Sequence, residues 1–492
     1  MSDLNTKLKK SIIDIDLTMK ILEKYNSGAY DHFKPVVVKG FPPVDNRTII
    51  DMKGDVSYSI PVLQLKKILE KYNIPLEKQI NDNSDEQSVT LNKKELINIG
   101  ERLMPLYSFG ILNGGSATSY ADSKKNSSFD KNLFNLLFDS FKKLAELSTG
   151  RAKGITPAFI NPDGTPGPSF IELKMRSLLI ENCSSLFQMT SFHNDESIQA
   201  TYNQYRESPF LKDLIKTKNA DICNAKTGIQ PLLAAFTHSK MGKKKNIYVG
   251  EKGNLISLPG GHGQCFITLR NVFKELLSEG VRFVSIGNVD NIGYTPDPQS
   301  LAILALSGKQ AGFDFSYKTP VDVKGGILIT DDRNRLNCAD LGVAIEKETV
   351  EEAEQKGSSI LFNCATGLFN LEYLVENIDM IIDSLPMRFS DQDKDAGQYA
   401  QAEQVTWEVI GILDDILIFA IDKYDRFLAA KTIMENLMTS GIRIAEIESE
   451  ALKGISAKLN RGLEKKLKTI YGLKLVNGKW IPKTVAELER KI

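Results

Sequence analysis

The sequence predicts an α/β protein, with a mixed, mostly parallel sheet flanked by helices, a helical N-terminal segment and a mainly helical C-terminal region. From about residue 97 to 390, short apolar runs alternate with longer segments of helical periodicity. Such alternation is typical of a sheet built from strand–helix–strand units. Several apolar runs end on glycine or asparagine. Because ligands bind at the carboxyl ends of strands in these sheets, we expect the functional site there.

Residues 1–95 carry two amphipathic helical patterns, around 12–22 and in VLQLKKILEKYNI, separated by a loop, KGFPPVDNRT. Residues 96–390 form the predicted central domain. Its predicted strands are SFGILNGG, SSLFQMTSF, NIYVG, VRFVSIGNVDN, GILIT and SILFNCAT, and its predicted helices are SFIELKMRSLLIEN, HGQCFITLRNVFKELLSEG, PDPQSLAILALSG and NLEYLVENIDMIIDSL. Residues 391–492 are predicted to be mainly helical after a polar loop, RFSDQDKDAGQ, that begins at residue 388 and crosses the boundary of this region.

The composition limits the classes of partner. The 492 residues contain 62 Lys and Arg and 62 Asp and Glu, so overall charge favours neither nucleic acid nor an acidic membrane as a partner. The five cysteines form no CxxC pair, and the start MSDLNTKLKK is polar, which is typical of reduced thiols in a cytoplasmic protein. The longest apolar stretch, around 409–421, contains two aspartates and is too short to span a bilayer. The oligomeric state stays open.

Two loops of the predicted sheet could approach a nucleotide. In ILNGGSATS, Gly114 and Gly115 follow an apolar run, and bare backbone there would let N–H groups contact a ligand. A tight turn explains the same glycines without any ligand. In AKGITPAF, Lys153 precedes a Pro- and Gly-containing loop and could pair with phosphate oxygens as a point charge. A solvated surface lysine is the alternative.

Two further strand ends suggest anion and cation binding. In SLPGGHGQCFI, glycines and His262 stand directly before a predicted helix, where exposed N–H groups attract anions. In VSIGNVDNIG, Asp290 lies between two asparagines after a buried strand, as expected for oxygen ligands of a hard cation. An Asx turn would explain the same residues without a metal.

Two lysines complete the set. Lys324 lies in VDVKGG and Lys431 in RFLAAKT, and spacing alone does not distinguish them from surface lysines. Together with the loops above, however, they match one task, in which glycine-rich backbone, one metal-binding carboxylate and several lysines hold phosphates. We find no HExxH helix, P-loop lysine or GxGxxG turn in the sequence that would indicate a competing chemistry.

These motifs resemble those of the UDPGP family of uridylyltransferases, the eukaryotic type of UTP–glucose-1-phosphate uridylyltransferase. LNGG is similar to the family's LNGGLGTS, LPGGHGQ to PPGHGD, GNVDNIG to NSDNLG, and TPVDVKGGILI to LADVKGGTLI. AEQVTWEVIG with DRFLAAKT is similar to LETAAGAAI with SRFLPVKT. The matches follow the family order over roughly residues 107–440.

The resemblance implies a Rossmann-like nucleotidyltransferase core. It also implies attack of a sugar-1-phosphate oxygen on the α-phosphorus of UTP, with release of pyrophosphate and with Mg²⁺ as cofactor. Glucose-1-phosphate is the expected sugar. The alternatives are another sugar-1-phosphate, such as that of an N-acetylhexosamine or galactose, and a non-catalytic protein that binds a UDP-sugar.

The resemblance also assigns residues to roles. Nucleotide binding falls to residues that would line the uridine, uracil and ribose: Gly114, Gly115, Met189, Gln230, Gly260 and Gly261. His262, Lys324, Lys431 and one lysine of the first loop would contact the phosphates. Asp290 would bind Mg²⁺, and Asn288 and Asn363 would bind the sugar-phosphate.

The chain departs from the family pattern at two places. After LNGG it has SATSYADSKKNSS where the family has GTSMGCKGPKS, so the first-loop lysine is either Lys124 or Lys125, or Lys153 after a longer loop. We favour Lys153, because its K-x-x-x-P spacing followed by a helix resembles related pyrophosphorylases. The family's LLEIAQ, whose Glu meets the sugar, is replaced by LNCADLG around Cys338, which leaves the sugar open.

Overall fold

The computed structural model describes residues 12–33, 35–75, 88–183, 185–250, 253–319, 322, 325–394 and 397–489. Its strands are β1 Val38–Gly40, β2 Ile49–Asp51, β3 Tyr58–Pro61, β4 Ser88–Leu91, β5 Tyr107–Leu112, β6 Leu186–Ser191, β7 Lys226–Gln230, β8 Leu232–Ala234, β9 Phe236–Thr237, β10 Ser257–Pro259, β11 Phe283–Asn288, β12 Ala311–Tyr317, β13 Gly326–Asp331, β14 Leu336–Asp340, β15 Leu361–Asn370, β16 Arg388–Lys394, β17 Gly397–Glu403, β18 Ile416–Ile421, β19 Leu473–Val476 and β20 Lys479–Pro482.

The α-helices in the same residues are α1 Ile15–Asn26, α2 Val62–Lys71, α3 Lys93–Leu103, α4 Thr118–Ala121, α5 Ser123–Ser127, α6 Lys131–Leu136, α7 Phe138–Ser148, α8 Phe170–Ile180, α9 Asp195–Tyr205, α10 Lys212–Lys218, α11 Cys265–Thr268, α12 Arg270–Ser278, α13 Pro298–Ser307, α14 Lys347–Gln355, α15 Leu371–Glu376, α16 Ile378–Ser384, α17 Lys423–Arg426, α18 Ile433–Ser440, α19 Glu450–Thr469 and α20 Val485–Glu489. Short 3-10 turns cover Met104–Leu106, Lys153–Ile155, Ser239–Met241, His262–Gln264, Thr406–Gly411 and Ile444–Glu446.

An eleven-stranded mixed sheet organises the molecule. Eight strands follow the order β2-β18-β12-β15-β11-β5-β6-β7, and β13 joins β1 and β14 to this path through β15. Every neighbouring pair along the eight strands is parallel except the two made by β15, which runs antiparallel to both β11 and β12. The prediction of a mixed, mostly parallel sheet flanked by helices is therefore confirmed.

Both faces of the sheet are covered, as the composition of its strands requires. In β18, every residue is buried, and successive side chains alternate between two large apolar clusters. Leu417, Phe419 and Ile421 belong to one cluster, whereas Ile416 and Ile418 belong to the other. Strand side chains alternate between the two faces of a sheet, so the two clusters lie on opposite sides of β18.

The sequence prediction differs from the structure at three places. NIYVG does not form a strand; Ile247 and Val249 make isolated bridges to Phe236 and Leu255. The N-terminal segment contains its two predicted helices, α1 and α2, but also short strands, of which β2 extends the main sheet. The region after residue 391 is not helical at first, since β16 and β17 form a hairpin and β18 enters the centre of the sheet.

These differences share one cause. Short strands gain their stability from non-local partners, which periodicity in a local window does not reveal. Downstream of β18, the chain is mainly helical, as predicted, with the hairpin β19–β20 between α19 and α20. Among the residues that the structure describes, no helix combines the length and the apolar character needed to cross a bilayer.

Close packing of α3 on α13 gives the first testable prediction. A methyl group on Gly100 of α3 would lie inside van der Waals contact of the Pro298 carbonyl group at the start of α13. We therefore expect Gly100→Ala to lower the free energy of unfolding by about 1–3 kcal/mol, because backbone must shift to admit the methyl group. Urea denaturation followed by circular dichroism measures this change.

Gly454 in α19 is the matched control. A methyl group there meets nothing within 4 Å. Gly454→Ala should therefore raise stability by about 0.5–1 kcal/mol, as expected for a helical glycine replaced by alanine. Equal effects of the two substitutions would contradict the assigned packing of α3 on α13.

Candidate active site

The carboxyl ends of four parallel strands form one edge of the sheet. Register pairs Leu112 of β5 with both Asn288 of β11 and Met189 of β6, and Ser191 of β6 with Gln230 of β7. Because β15 runs in the opposite direction, its beginning lies at this same edge. The fold thus brings together the residues that the sequence analysis placed at separate strand ends.

The first loop pairs with the segment that carries Lys153. The backbone N–H of Lys153 donates to the Gly115 carbonyl (3.0 Å), and Ser116 forms an antiparallel bridge with Ala152. Upstream, the Asn113 side chain donates to Gln188 Oε1 (3.1 Å), which anchors the end of β5 inside the sheet. The loop is therefore long, and the chain returns to the glycines at Lys153.

Lys124 and Lys125 take a different position. Both lie on the short helix α5 and are exposed, and Lys125 Nζ donates to the Ser119 hydroxyl at 3.0 Å. Of the three lysines considered for this loop, Lys153 is the one whose side chain contacts another predicted site residue.

That contact is an ion pair between Lys153 and Asp290. Lys153 Nζ donates to Asp290 Oδ2 and also to the Ala430 carbonyl (2.5 Å), and it lies 4.9 Å from the centre of the Tyr120 ring. The two charged side chains are 13% and 15% exposed, so both are largely removed from water. A single cation therefore joins the glycine loop, the loop after β11 and the segment before Lys431.

The loop after β11 is held from two further directions. Buried Lys174 of α8 donates through Nζ to the carbonyl groups of Asn291 and Tyr294, and burial holds the pKa of Lys174 well below its usual value. Asn291 Nδ2 donates to the Arg426 carbonyl (3.1 Å), and its Oδ1 accepts from Leu428 N–H (2.9 Å). These bonds place Asp290 relative to the RFLAAKT segment.

Lys431 lies at the end of that segment, one residue before the N-cap of α18. Arg426, five residues earlier, points into the core instead. Its guanidinium donates to Asp297 (2.5 Å) and Asp314 (2.9 Å) beneath the sheet edge. Burial raises the pKa of Asp314 to about 6, although Arg426 lowers it. Arg426 is therefore structural, and Lys431 is the cation of this segment that faces the site.

His262 is held as a neutral imidazole. Its Nδ1 accepts a hydrogen bond from Thr406 N–H (3.1 Å), and the Thr406 hydroxyl donates to the His262 carbonyl (2.8 Å). A backbone N–H can only donate, so Nδ1 carries no proton and the neutral ring keeps its proton on Nε2. Burial lowers the pKa of His262 to about 4. The ring can therefore donate one hydrogen bond through Nε2 at neutral pH.

The glycine-rich turn before His262 packs against β7. Gln230 Nε2 donates to the Gly261 carbonyl (2.7 Å) and to Gln264 Oε1 (2.9 Å), and Gly260 N–H donates to the same Gln264 oxygen (3.1 Å). Gly261 has φ 78°, and a side chain there would clash with the Gln404 backbone. Glycine is required at this position for both reasons.

A cavity of about 300 Å³ opens at this edge. Five of the predicted site residues line it: His262, Asn288, Asp290, Asn363 and Lys431. Lys153 is not part of the lining, but its side chain forms an ion pair with Asp290, which is. The nucleotide-binding candidates Gly114, Gly115, Met189, Gln230, Gly260 and Gly261 are not part of its lining. Met189 lies on β6 and Gln230 on β7, whereas the two glycine pairs follow β5 and β10. Lys324 is outside the described residues, so its position stays a prediction.

The sequence analysis missed three charged residues in the cavity wall, Asp340, Arg388 and Glu408. Arg388 is the first residue of RFSDQDKDAGQ, the segment that was predicted as a polar loop, and it instead begins the hairpin strand β16. Glu408 lies in a 3-10 turn, and Asp340 ends β14. Asp340 lies in LNCADLG and Glu408 in AEQVTWEVIG, two segments that the sequence analysis compared with the family without singling out either residue. The three residues meet because β14, β16 and the 3-10 turn converge.

The donor set at Asp290 is compatible with Mg²⁺. Mg²⁺ keeps several waters and is commonly held by one or two carboxylates together with substrate phosphates. Asp290 supplies one carboxylate, and Asn288 lines the same cavity. Within the described ranges, no cluster of three or more His, Cys, Asp or Glu side chains forms a complete protein-only metal site. The residues therefore suit a cation that is shared with phosphates.

Comparison with known proteins gives a consistent result. The model of the UTP–glucose-1-phosphate uridylyltransferase family matches residues 186–460. The UTP–glucose-1-phosphate uridylyltransferase of Pyrus pyrifolia is 30% identical over 151 residues, which cover 30% of this chain and 29% of the relative. The UTP–glucose-1-phosphate uridylyltransferase of Astragalus penduliflorus is 24% identical over 311 residues, which cover 60% of this chain and 61% of the relative. The chain thus spans less than two thirds of either relative.

Solved structures share the fold. A putative UDP-N-acetylglucosamine pyrophosphorylase from Entamoeba histolytica aligns with a TM-score of 0.53 at 15% identity, over 76% of this chain and 86% of the other. A mutant UDP-glucose pyrophosphorylase from Leishmania major, in complex with UDP-glucose, aligns with a TM-score of 0.50 at 15% identity. The alignment covers 79% of this chain and 69% of the Leishmania chain. At this identity, the similarity establishes the nucleotidyltransferase-like fold.

The neutral state of His262 gives a prediction about acid stability. Its pKa is about 4 in the folded protein and about 6.5 in the unfolded chain, so the unfolded state takes up a proton first as the pH falls. The folded state is therefore destabilised progressively below pH 6.5, by about 2 kcal/mol at pH 5. His262→Asn keeps an acceptor for Thr406 N–H and removes the titration.

We expect the stability lost between pH 7 and pH 5 to be smaller in His262→Asn than in the unchanged protein by about 2 kcal/mol. Urea unfolding of both proteins at the two pH values measures the difference, and the pH 7 data control for any general effect of the substitution. The same pH dependence in both proteins would refute the neutral state of His262.

Proposed function

Because the chain belongs to the UTP–glucose-1-phosphate uridylyltransferase family, whose model matches more than half of its 492 residues, we propose that it transfers a uridylyl group from UTP to a sugar-1-phosphate. Glucose-1-phosphate is the proposed acceptor, and UDP-glucose and pyrophosphate are the products. The observation that carries the proposal is the ion pair of Lys153 and Asp290, which joins the glycine loop to the segment before Lys431 at the edge of the sheet.

The chemistry requires positioning and charge rather than a covalent nucleophile. An oxygen of the sugar-1-phosphate attacks the α-phosphorus of UTP. A new P–O bond forms while the bond from the α-phosphorus to the bridging oxygen breaks, and pyrophosphate leaves with the electron pair. The attacking phosphate oxygen is already anionic at neutral pH, so no general base is needed. Cations and N–H donors aimed at the phosphates are the main requirement.

The side chains at the cavity can supply these groups. In this proposal, Lys153 and Lys431 offset the negative charge of the phosphates, and His262 donates an Nε2 hydrogen bond without adding charge. Lys324, from the family motif DVKGG, is proposed as a further cation. Asn288 and Asn363 bind the sugar-phosphate through their amide groups. The glycines of the first loop and of the turn before His262 let backbone approach the uridine.

Asp290 is the proposed protein ligand of Mg²⁺, with Asn288 beside it. When bound, Mg²⁺ would neutralise charge on the triphosphate and the leaving pyrophosphate. Asp290 also pairs with Lys153, and this pair holds the lysine ammonium group next to the proposed metal ligand.

The decisive experiment is an assay of pyrophosphate release with UTP and Mg²⁺ across a panel of sugar-1-phosphates, with ATP, CTP, GTP and dTTP as controls. We expect turnover with UTP and glucose-1-phosphate. Turnover with an N-acetylhexosamine- or galactose-1-phosphate instead would change the sugar and keep the reaction. Binding of a UDP-sugar without pyrophosphate release would identify a non-catalytic binder.

The placement of Lys153 gives a prediction about catalysis. Lys153→Ala should lower kcat/KM by about 10²–10³-fold, because a cation near the reacting phosphates is lost from a site largely shielded from water. Lys125→Ala is the matched control and should change kcat/KM less than 3-fold, since Lys125 is exposed and contacts Ser119. A larger loss in Lys125→Ala would show that the short-loop alternative is correct.

The proposed metal role of Asp290 is tested separately. Asp290→Asn keeps the shape of the side chain and removes its charge, so we expect a rise of at least 10-fold in the Mg²⁺ concentration needed for half-maximal rate. Titration of Mg²⁺ at saturating substrates measures this. An unchanged Mg²⁺ dependence would remove Asp290 from the metal site.

A further inference from the structure

The long first loop is a folded element that the proposed reaction does not use. Ser116 forms a bridge with Ala152, and the N–H of Ala117 donates to the Arg151 carbonyl (2.9 Å), so the chain leaves and returns at one point. The four short helices α4–α7 lie between these residues. Residues 117–151 thus form a closed helical loop, which begins where the chain departs from the family pattern.

The helical loop packs against the helix that follows Lys431. Tyr120 and Phe141 of the loop share one buried apolar cluster with Ile433 and Leu437 of α18. Removal of this apolar surface from water stabilises the contact between the two elements. The helical loop is therefore fixed relative to the segment that carries Lys431.

Asn126 adds hydrogen bonds to this packing. Its side chain is buried; Oδ1 accepts from Met434 N–H (2.9 Å), and Nδ2 donates to the Tyr120 carbonyl (2.9 Å). Met434 lies in the first turn of α18, where backbone N–H groups have no partner within the helix. One side chain thus connects the backbone of Tyr120 to the turn that follows Lys431.

The aromatic ring of Tyr120 meets the ammonium group of Lys153. Lys153 Nζ lies 4.9 Å from the centre of the ring, and Tyr120 is only 2% exposed. Burial raises the pKa of Tyr120 above its usual value, so the phenol stays protonated and the ring is uncharged. The face of an aromatic ring attracts a cation, and the attraction is stronger for a cation that is shielded from water, as Lys153 is.

The contacts of this ammonium group differ in what they do to its charge. Lys153 Nζ donates to the Asp290 carboxylate and to the Ala430 carbonyl (2.5 Å). A carboxylate neutralises the charge of an ammonium group, whereas an uncharged ring attracts the charge without cancelling it. The Tyr120 ring can therefore hold Lys153 in place while the positive charge acts on a phosphate.

From this arrangement, we infer that Tyr120 is a positioning residue for Lys153, and that the helical loop is part of the phosphate-binding apparatus. Asn126 and the apolar cluster fix Tyr120 relative to the segment that carries Lys431, and the Tyr120 ring fixes Lys153. The inference rests on the proposed function in one respect, because Lys153 is taken to act on the phosphates of UTP.

Steady-state kinetics tests the inference. We expect Tyr120→Leu to lower kcat/KM for UTP about 10-fold, because the ring that holds the ammonium group is lost. The KM of the sugar-1-phosphate should change less than about 2-fold, since the displaced cation serves the triphosphate. Tyr120→Phe keeps the ring face and should retain kcat/KM for UTP within about 2-fold. Equal losses in the Leu and Phe variants would contradict the role of the ring.

A double-mutant cycle separates positioning from a general effect on the fold. In Lys153→Ala there is no ammonium group to displace, so adding Tyr120→Leu should lower kcat/KM less than about 2-fold further. A role confined to packing would give the same loss in both backgrounds, because the apolar cluster is present in both. That result would overturn the inference.

Phe134→Leu is the matched control. Phe134 is a buried aromatic residue of the same helical loop and the same apolar cluster, and its ring packs against that of Phe141 (4.9 Å between ring centres). Phe134→Leu should leave kcat/KM for UTP unchanged, and a loss equal to that of Tyr120→Leu would contradict the inference. Circular dichroism and thermal unfolding show which variants are folded. Tyr120→Met, which fills the space without a ring, replaces Tyr120→Leu if the latter does not fold.

Equilibrium binding gives a measurement that needs no turnover. Isothermal titration calorimetry with UTP and Mg²⁺, without a sugar-1-phosphate, yields the dissociation constant of UTP for each protein. We expect Tyr120→Leu to weaken UTP binding about 3–10-fold in the presence of Lys153, and less than about 2-fold in Lys153→Ala. Tyr120→Phe and Phe134→Leu should bind UTP as the unchanged protein does.

The outcomes separate this inference from the proposed reaction. If the unchanged protein binds UTP but releases no pyrophosphate with any sugar-1-phosphate, the catalytic proposal fails, and the UTP affinities still decide the inference. If Tyr120→Leu leaves UTP binding and kcat/KM intact, the inference is overturned even in an active enzyme. If the unchanged protein does not bind UTP, both proposals fall.

Discussion

The geometry of the candidate site depends on the short loop that follows β11. Asp290 lies in this loop, and three parts of the chain that are distant in sequence hold it: Lys153 binds the carboxylate, Lys174 binds two carbonyl groups, and the RFLAAKT segment pairs with Asn291. Each bond satisfies a backbone or charged group that would otherwise be buried without a partner. Releasing any one of these bonds would leave a polar group unpaired, so the loop is held in one arrangement.

Charge balance explains which cations serve the core and which face the cavity. Arg426 lies between Asp297 and Asp314 beneath the sheet edge, and two carboxylates keep its guanidinium charged there. Lys431 comes five residues later and is exposed at the cavity. Arg388, which lines the same cavity, lies between Asp340 and Glu408. The cavity lining therefore combines an exposed lysine with an arginine that is held between two carboxylates.

The sequence predicted much of the fold and part of the site, and the failures have physical causes. Five of the six predicted strands are present as β5, β6, β11, β13 and β15, because each is a compact apolar run bounded by polar or glycine residues. Strands β12 and β18 were missed although both are buried, since apolar runs of this length fit either a helix or a strand until their partners are known. Of the residues that the sequence singled out, His262, Asn288, Asp290, Asn363 and Lys431 line one cavity. Asp340, Arg388 and Glu408 line it as well, but the sequence analysis quoted their segments without singling them out.

The sequence by itself determined the α/β class and the order of the strand ends that carry Gly114, His262, Asp290 and Lys431, because these follow from local patterns of apolar, glycine and polar residues. Only the tertiary structure decided that β15 runs antiparallel between β11 and β12, that Lys153 rather than Lys125 reaches Asp290, and that Arg388 joins two carboxylates at the cavity. The physical reason is that these choices depend on contacts between segments far apart in the chain. Such contacts are decided by the burial of both faces of the sheet and by the pairing of buried charges, which no local stretch of sequence contains.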